Sequence, residues 1–535
     1  MSENFLNALK KMDNFTETEN GAVALNSTLN HCLDAFGSLG AMKDSPEEKI
    51  ISTFMLAFAE DKELAMRMLF YMRDIRGGQG MRRVFRVIAT NLAHNYPDLM
   101  IKNLDNFLFF GRGDDVLCLL DTPIRSNVIT WIAETLNADI DAVKKNAYPS
   151  MLAKWLPSEN ASSKETKRYA RMIAAGLGLS PRDYRVLLSK LRAKIGIVET
   201  LMSQNRWEEI EFEKLPSRAA MIYSDAFMRH VEEKYVDYFK RLAAGDAKVN
   251  AGALFPVDII HKVAEKVPYY SGYYGMKSTI SLKDKYLLTA MWNALPNYLE
   301  GKEETGLCVV DTSGSMCGTP LEVAVSLGLY CADKAKGPFH NHFITFSANP
   351  KLQEVIGDTI DEKYANLCHA DWEQNTNLEA VFDLILSTAI ANNTPQEDLP
   401  SKLYIISDMQ FDQARGSQSN LWGYRSTRRY ETKPFMAIMK EKYANAGYTM
   451  PAIVYWNVRA SSCGMFQETF EGENCAMVSG YSPSLFKAVI EGTEWVEEEI
   501  ITKTGERKTV VKQKIDPIEV MRKTLMNERY NRVLV

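Results

Sequence analysis

The chain has 535 residues, 46% hydrophobic and 24% charged, with a net charge of −5. That length exceeds one ordinary domain, and the mild acidity means that any nucleic-acid binding must rest on a local patch. No apolar run approaches the ~18 residues of a membrane-spanning helix, the polar start does not read as a secretory leader, and eight scattered cysteines without a Cys-x-x-Cys pair read as reduced thiols of a cytoplasmic protein.

Residues 1–40 show weak periodicity and read as a partly ordered arm. From Ser45 the pattern turns helical. Ser45 is placed to cap, Pro46 falls just inside, and Ile50, Ile51, Phe54, Met55 and Phe58 share one face. Further helices are expected over 62–75, around 84–92, over 99–109 and 116–120, and as a pair over 124–145. The break Gly77-Gly78-Gln79-Gly80 is no phosphate loop, because it lacks the lysine of that motif and no buried strand precedes it. Successive short helices with short polar turns suggest stacked helix pairs, without a fixed repeat.

Charge is uneven in this half. Between Arg67 and Arg86 six basic residues face one acid, and between Lys164 and Lys194 nine face two. Lys164, Lys167, Arg168 and Arg171 share a helical face by spacing, with Tyr169, Tyr184 and Trp207 interleaved or following. Two readings fit: a groove for backbone phosphates with stacking aromatics, or a solvated face paired with the acidic stretch 208–213. Residues 265–305 are a transition, with a tyrosine-rich loop (Tyr269, Tyr270, Tyr273, Tyr274) and a polar linker at 301–304.

From residue 306 the order becomes βα. A short apolar strand runs into Asp311-Thr312-Ser313-Gly314-Ser315, and an apolar helix follows from Thr319-Pro320. Strands over 339–346 and 351–355 read as a hairpin at a sheet edge. His340 and His342 share one side of the first but lack partners for zinc. An amphipathic run over 378–391 follows Gln374-Asn375-Thr376-Asn377, and a buried strand over 402–407 ends in Asp408. Strands at 451–456 and 476–478 and a helix at 483–490 complete a doubly wound, mainly parallel sheet. A carboxylate and two hydroxyls at alternate positions in one tight loop make half of a hard-cation site, or a turn feeding a helix cap. Three loops bear oxygen donors, and two of them follow predicted parallel strands, the end where open α/β sheets place ligands. Beyond Trp495, a hairpin (496–502 with 507–514) and a basic helix from Asp516-Pro517 are expected to pack back onto the helical half.

The sequence Asp-x-Ser-x-Ser, then a threonine, then an aspartate on successive loops resembles the metal-ion-dependent adhesion site of von Willebrand factor A domains. The resemblance implies a Mg²⁺ site, with Mn²⁺ or Ca²⁺ as alternatives, held by Asp311, Ser313, Ser315, Thr376 and Asp408. It also implies an open coordination position for a partner's Asp or Glu. Asn375-Thr376 stands where many members have Gly-Thr. The stretches 110–116, 150–157 and 248–260 resemble the Ro/TROVE ring proteins. The likeness is to a branch of unknown function, in plants and microbes, that joins such a helical half to an A domain; 371–372, 407–412 and 453–459 fit it too. That resemblance implies HEAT-like helical repeats and binding of single-stranded, misfolded or small non-coding RNA, with Arg82, Arg83, Arg86, Lys164, Lys167, Arg168, Arg171, Arg185 and Arg192 as candidate contacts.

The expected architecture is therefore α + α/β: an arm (1–40), a helical-repeat domain (41–300), an A-type Rossmann-like domain (301–495) and a C-terminal hairpin and helix (496–535). No nucleophile with a matched base is evident, so the expected function is a non-catalytic RNA-binding scaffold with a cation site. The alternative is a metal-dependent protein-interaction module or assembly component without RNA.

Overall fold

A computed structural model describes residues 14–20, 22–267, 280–300, 305–346, 350–368, 377–411, 435–459, 465–501 and 507–535. The chain is mixed α/β, with many helices and a six-stranded mixed sheet. It forms two compact units, each drawn from separate stretches. One contains Met1–Ser45, Phe255–Ile280 and Asn297–Thr524; the other contains Pro46–Leu254, Ser281–Pro296 and Leu525–Val535. These units cut across the expected boundaries at 40, 300 and 495, since the N-terminal segment and the helix Pro256–Ala264 go with the sheet. No described helix is long and apolar enough to cross a membrane.

In the helical unit, Glu47–Glu60, Lys62–Arg73 and Arg82–Asn95 pack on one another through Phe54, Leu69, Phe70, Phe85 and Ile88, all buried. Ser45 is not the first cap. Pro46 takes that position without a side-chain bond, whereas Asp61 accepts from Leu64 N and starts the second helix. A single helix, Arg125–Lys144, runs where a pair was expected, because no glycine or proline interrupts it. The expected helix at 99–109 is instead divided at Asn103, whose buried amide pairs with the backbone of Leu534 at 2.8 and 3.0 Å. Lys164–Gly176 and Pro181–Ile195 pack with Arg125–Lys144, and Ser217–His230 with Glu232–Ala244.

Of the C-terminal tail expected to return to the helices, only Leu525–Val535 does so; the hairpin and nearly all of the helix Pro517–Leu525 group with the sheet. Asp74, fully buried, binds Arg529 through its Nε and, at 2.8 Å, its Nη2, and accepts from the Tyr530 hydroxyl at 3.1 Å.

The sheet unit opens with a small antiparallel hairpin, β1 (Phe15–Glu17) and β2 (Val23–Leu25). The main sheet contains β3 (Gly306–Val310), β4 (His342–Thr345), β5 (Leu352–Glu354), β6 (Lys402–Ser407), β7 (Ala452–Asn457) and β8 (Cys475–Ser479), in the order β5-β4-β3-β6-β7-β8. All neighbours are parallel except β4 and β5, the expected edge hairpin. β3, β6, β7 and β8 are buried almost throughout, the pattern of a sheet covered on both faces. Helix Thr319–Lys334 lies against β3, β4 and β6, and Phe486 of Ser484–Glu491 meets Tyr330, Tyr404 and Trp456. A second hairpin, β9 (Thr493–Ile501) and β10 (Arg507–Ile515), follows, and its tip at Thr504-Gly505 lies outside the described residues.

The described residues of the expected arm, 14–20 and 22–40, are built into this unit. Helix His31–Phe36 and the turn Leu39–Ala41 pack on β8. The Ser479 hydroxyl donates to Phe36 O and accepts from Gly40 N. A Cβ on Gly40 would fall 2.2 Å from Ser479 O, so only glycine permits this approach.

The polar knot of the helical unit should be its most sensitive point. Asp115 is fully buried and binds Arg73 at 2.7 Å and Arg86 at 2.9 Å, with Arg73 itself 2% exposed. Asp115→Ala leaves Arg73 charged and unpaired, and we expect a loss of about 3–5 kcal/mol of stability, read by chemical denaturation. A loss below about 1 kcal/mol would show that the pair contributes little.

Candidate metal centre

Strand register brings the first groups together. β3 and β6 pair with Val310 opposite Ile406, so Asp311 and Ser407 leave the sheet at the same level. Asp311 N donates to Ile406 O at 3.0 Å, and the Ser407 hydroxyl donates to Asp311 Oδ2. Asp311 Oδ1 accepts from Ser313 N at 2.9 Å, which folds the loop back over its own carboxylate. Ser313 stands before a short 3₁₀ turn, Gly314–Met316, but its side chain makes no capping bond there. Instead its hydroxyl lies 3.0 Å from that of Ser315.

Asp408 follows Ser407 directly and is 2% exposed. Met409 adopts a left-handed backbone, φ 66°, turning the chain so that Gln410 N meets Asp408 Oδ1 at 3.3 Å. The Ser315 side chain bonds Asp408, and Arg459 favours its ionised form while bonding Ser315 O. Burial raises both carboxyls. Asp311 is pushed up to about 6, first by burial and then by the charge of Asp408, against the hydrogen bonds from Ser407 and Ser313. Asp408 is raised by burial.

A continuous path of oxygens therefore runs Asp311, Ser313, Ser315, Asp408. Two ionised carboxylates in one buried site repel, and the charge of Asp408 is one cause of the rise at Asp311. A divalent ion removes that repulsion and takes hydroxyl and water oxygens in its remaining positions. Thr312 Oγ1, in the same loop and 7% exposed, has no hydrogen-bond partner among the described residues. Among the described residues no group of three or more His, Cys, Asp or Glu gathers as a metal cluster; the donors here are two acids and hydroxyls.

Asp311, Ser313, Ser315 and Asp408 are thus brought together, while Thr376 lies outside the described residues. Ser407 and Arg459 escaped sequence reasoning as members of the site. Only the register of β3 against β6 marks the former, and nothing local marks the latter. His340 and His342 turn to backbone oxygens, of Ala335 and His340.

The basic residues divide. Arg82 and Arg86 are held by Asp114 and Asp115, and Arg83 lies 3.8 Å from Glu47. Arg192 donates to the carbonyls of Ala153 and Leu156 at 2.8 and 2.7 Å. Arg168 makes a two-pronged pair with Asp121, both bonds 2.6 Å, which holds that carboxyl down at about 2. Lys164, Arg171 and Arg185 are exposed and Lys167 is half-buried, on helices that pack together.

Comparison with known proteins adds the family. Residues 305–525 match a domain of unknown function (DUF7788), and residues 18–110 and 180–302 match a second (DUF2828). The second match takes in part of the N-terminal segment that packs on the sheet. The chain is 32% identical over 524 residues to the uncharacterised protein L728 of Acanthamoeba polyphaga mimivirus, covering 90% of this chain and 86% of that one. It belongs to the same family as this viral protein.

Asp311→Asn separates charge from shape. A carboxyl raised from 3.8 to about 6 stabilises the fold at acidic pH and loses that contribution as pH rises through about 6. Without divalent cations at pH 7.5, the variant should therefore melt higher than wild type, by up to about 3 kcal/mol. The difference should shrink toward pH 4. With Mg²⁺ the order should reverse, since only wild type gains. A variant that melts lower in EDTA at pH 7.5 would contradict the charge assignment.

Proposed function

We propose that this protein is a non-enzymatic, cation-dependent binding protein whose sheet unit is a von Willebrand factor A-type domain and whose helical unit is built of HEAT-like repeats. The observation that carries this is the buried Asp311–Asp408 pair, linked by Ser313 and Ser315 at the carboxyl ends of adjacent parallel strands. Such a site takes Mg²⁺, or Mn²⁺ or Ca²⁺, with Thr376 as a further donor, and offers a solvent-side position to an acidic side chain of a partner protein. Hydrolysis is not proposed: the hydroxyls bond the two carboxylates and each other, and the histidines of the neighbouring elements are bonded elsewhere. The test is calorimetry on the full chain. Wild type should bind one Mg²⁺ saturably and Asp408→Ala should bind none; wild type without saturable binding would end the proposal.

A second reading, RNA binding by the helical unit, is favoured by Lys164, Arg171 and Arg185, exposed on two packed helices. Single-stranded RNA held by phosphate contacts loses affinity with salt at a log–log slope of about −0.7 per contact. Neutralising these three residues together should make the slope shallower by about 2. Unchanged binding, or none at low salt, removes RNA and leaves the protein-binding reading.

A further inference from the structure

Loop 74–77, the last turn of the helix Leu104–Phe110 and the C-terminal turn Glu528–Tyr530 meet within the helical unit. Ile75 N donates to Phe110 O at 3.0 Å, which fastens the loop to the helix end. A Cβ on Gly77 would fall 3.2 Å from Arg529 Cδ and Nε, so the backbone next to Arg76 runs along the Arg529 side chain. Arg76 is exposed, and its Nη1 donates to Phe109 O at 3.4 Å. The Arg532 guanidinium lies 3.8 Å from the centre of the Phe109 ring, and its Nε donates to Asn106 Oδ1 at 2.6 Å. Arg529 stands 5.2 Å from the same ring. Three guanidiniums therefore converge on Phe109, which is itself 38% exposed.

Their charges are unequally answered. Asp74 is taken by Nε and Nη2 of Arg529. Among the described residues, neither Arg76 nor Arg532 has a carboxylate partner. Three positive charges against the one acid leave an excess of two, in a chain whose net charge is −5. Like charges held together repel, and a bound anion removes that repulsion. The two exposed guanidiniums are also anchored in advance. Arg532 is stacked on a ring and held through Nε, which turns the Nη groups of its planar fork to a ligand. Arg76 is held through Nη1.

Such forks match the oxygens of carboxylates and phosphates in pairs. A carboxylate has two oxygens and satisfies one fork. A phosphate monoester presents three terminal oxygens on a tetrahedral centre and accepts from two forks at once, and its charge of about −1.5 to −2 at pH 7 matches the excess. Both forks reach one residue, Phe109, rather than following a row, which suits a single phosphoryl group and not the backbone of a strand. We propose that Arg76 and Arg532, gathered at Phe109 with Arg529 adjoining, form a seat for inorganic phosphate or the phosphate monoester of a small molecule. The seat lies within the helical unit and does not rest on the cation site.

Holding the tail and capping a helix end would by themselves account for the bonds to Asn106 and Phe109 O, so the experiment reads binding rather than stability alone. It is calorimetry on the full chain at low salt, pH 7.5, in EDTA, so that no divalent cation takes part. Sodium phosphate is titrated into wild type, Arg76→Gln, Arg532→Gln and Lys240→Gln. Lys240, exposed on Glu232–Ala244, controls for the loss of one charge in the same unit. Wild type should bind phosphate saturably, each arginine variant should bind about tenfold more weakly or worse, and Lys240→Gln should bind as wild type does. Adenosine monophosphate and adenosine then separate the sources. Tighter binding of the nucleotide than of phosphate, with none of adenosine, marks a small-molecule ester; equal binding of nucleotide and phosphate marks the free anion. Absence of saturable phosphate binding by wild type overturns the proposal. So do arginine variants that bind phosphate as wild type does, whatever their melting temperatures, and a Lys240→Gln loss as large as theirs. A short RNA without a terminal phosphate that binds through the same two arginines, while inorganic phosphate does not, would assign the seat to a strand and overturn the proposal as well.

Discussion

Two carboxylates brought side by side inside a protein oppose folding unless something of opposite charge, or a proton, stands between them. At the rim of the parallel sheet, Asp311 and Asp408 face that constraint: both are buried, and the charge of Asp408 helps to raise Asp311. The parallel register of β3 and β6 sets their level. The Ser407 hydroxyl and Ser313 N hold the first, and the left-handed turn at Met409 leads Gln410 N to the second. These bonds favour the ionised forms, yet burial still raises both. The pair therefore costs stability when both carboxyls are ionised, and the proposed cation site rests on that cost.

The N-terminal segment shows how a short, weakly patterned stretch can be fixed by its surroundings. Neither β1 nor β2 exceeds three residues, and such a hairpin is not stable alone. It persists because its polar turn finds Gln410 and Phe411, its second strand finds Phe466, and the following helix lies on β8. The sheet unit thereby recruits residues nearly 400 positions distant in sequence to the edge of its site.

In the helical unit the arginine-rich segments serve two ends. Around Asp114 and Asp115, Arg73, Arg82, Arg86 and Arg112 form a mutually paired network at the end of the first helices. A buried acid of this kind fixes where several helices meet, and Asp74 does the same for the tail through Arg529 and Tyr530. Charge there is consumed internally. On Lys164–Gly176 and Pro181–Ile195 basic side chains such as Lys164, Arg171 and Arg185 are exposed instead, so a count of positive residues along the chain overstated the surface they could offer.

What the sequence determined by itself was local. Alternation of apolar strands with helices gave the βα order, and the loop Asp311-Thr312-Ser313-Gly314-Ser315 with Asp408 marked the candidate cation site, because its oxygen donors directly follow buried strands. Helix starts were less legible: Ser45 looked like a cap and Asp61 was the one that acted. The break at Asn103 was hidden because it depends on Leu534. Tertiary structure alone decided which arginines are paired, that Ser407 and Arg459 join the site, and that residues 14–45 belong with the sheet. Each of these depends on contacts between residues far apart in sequence, whose energies come from burial and hydrogen-bond geometry that no local pattern encodes.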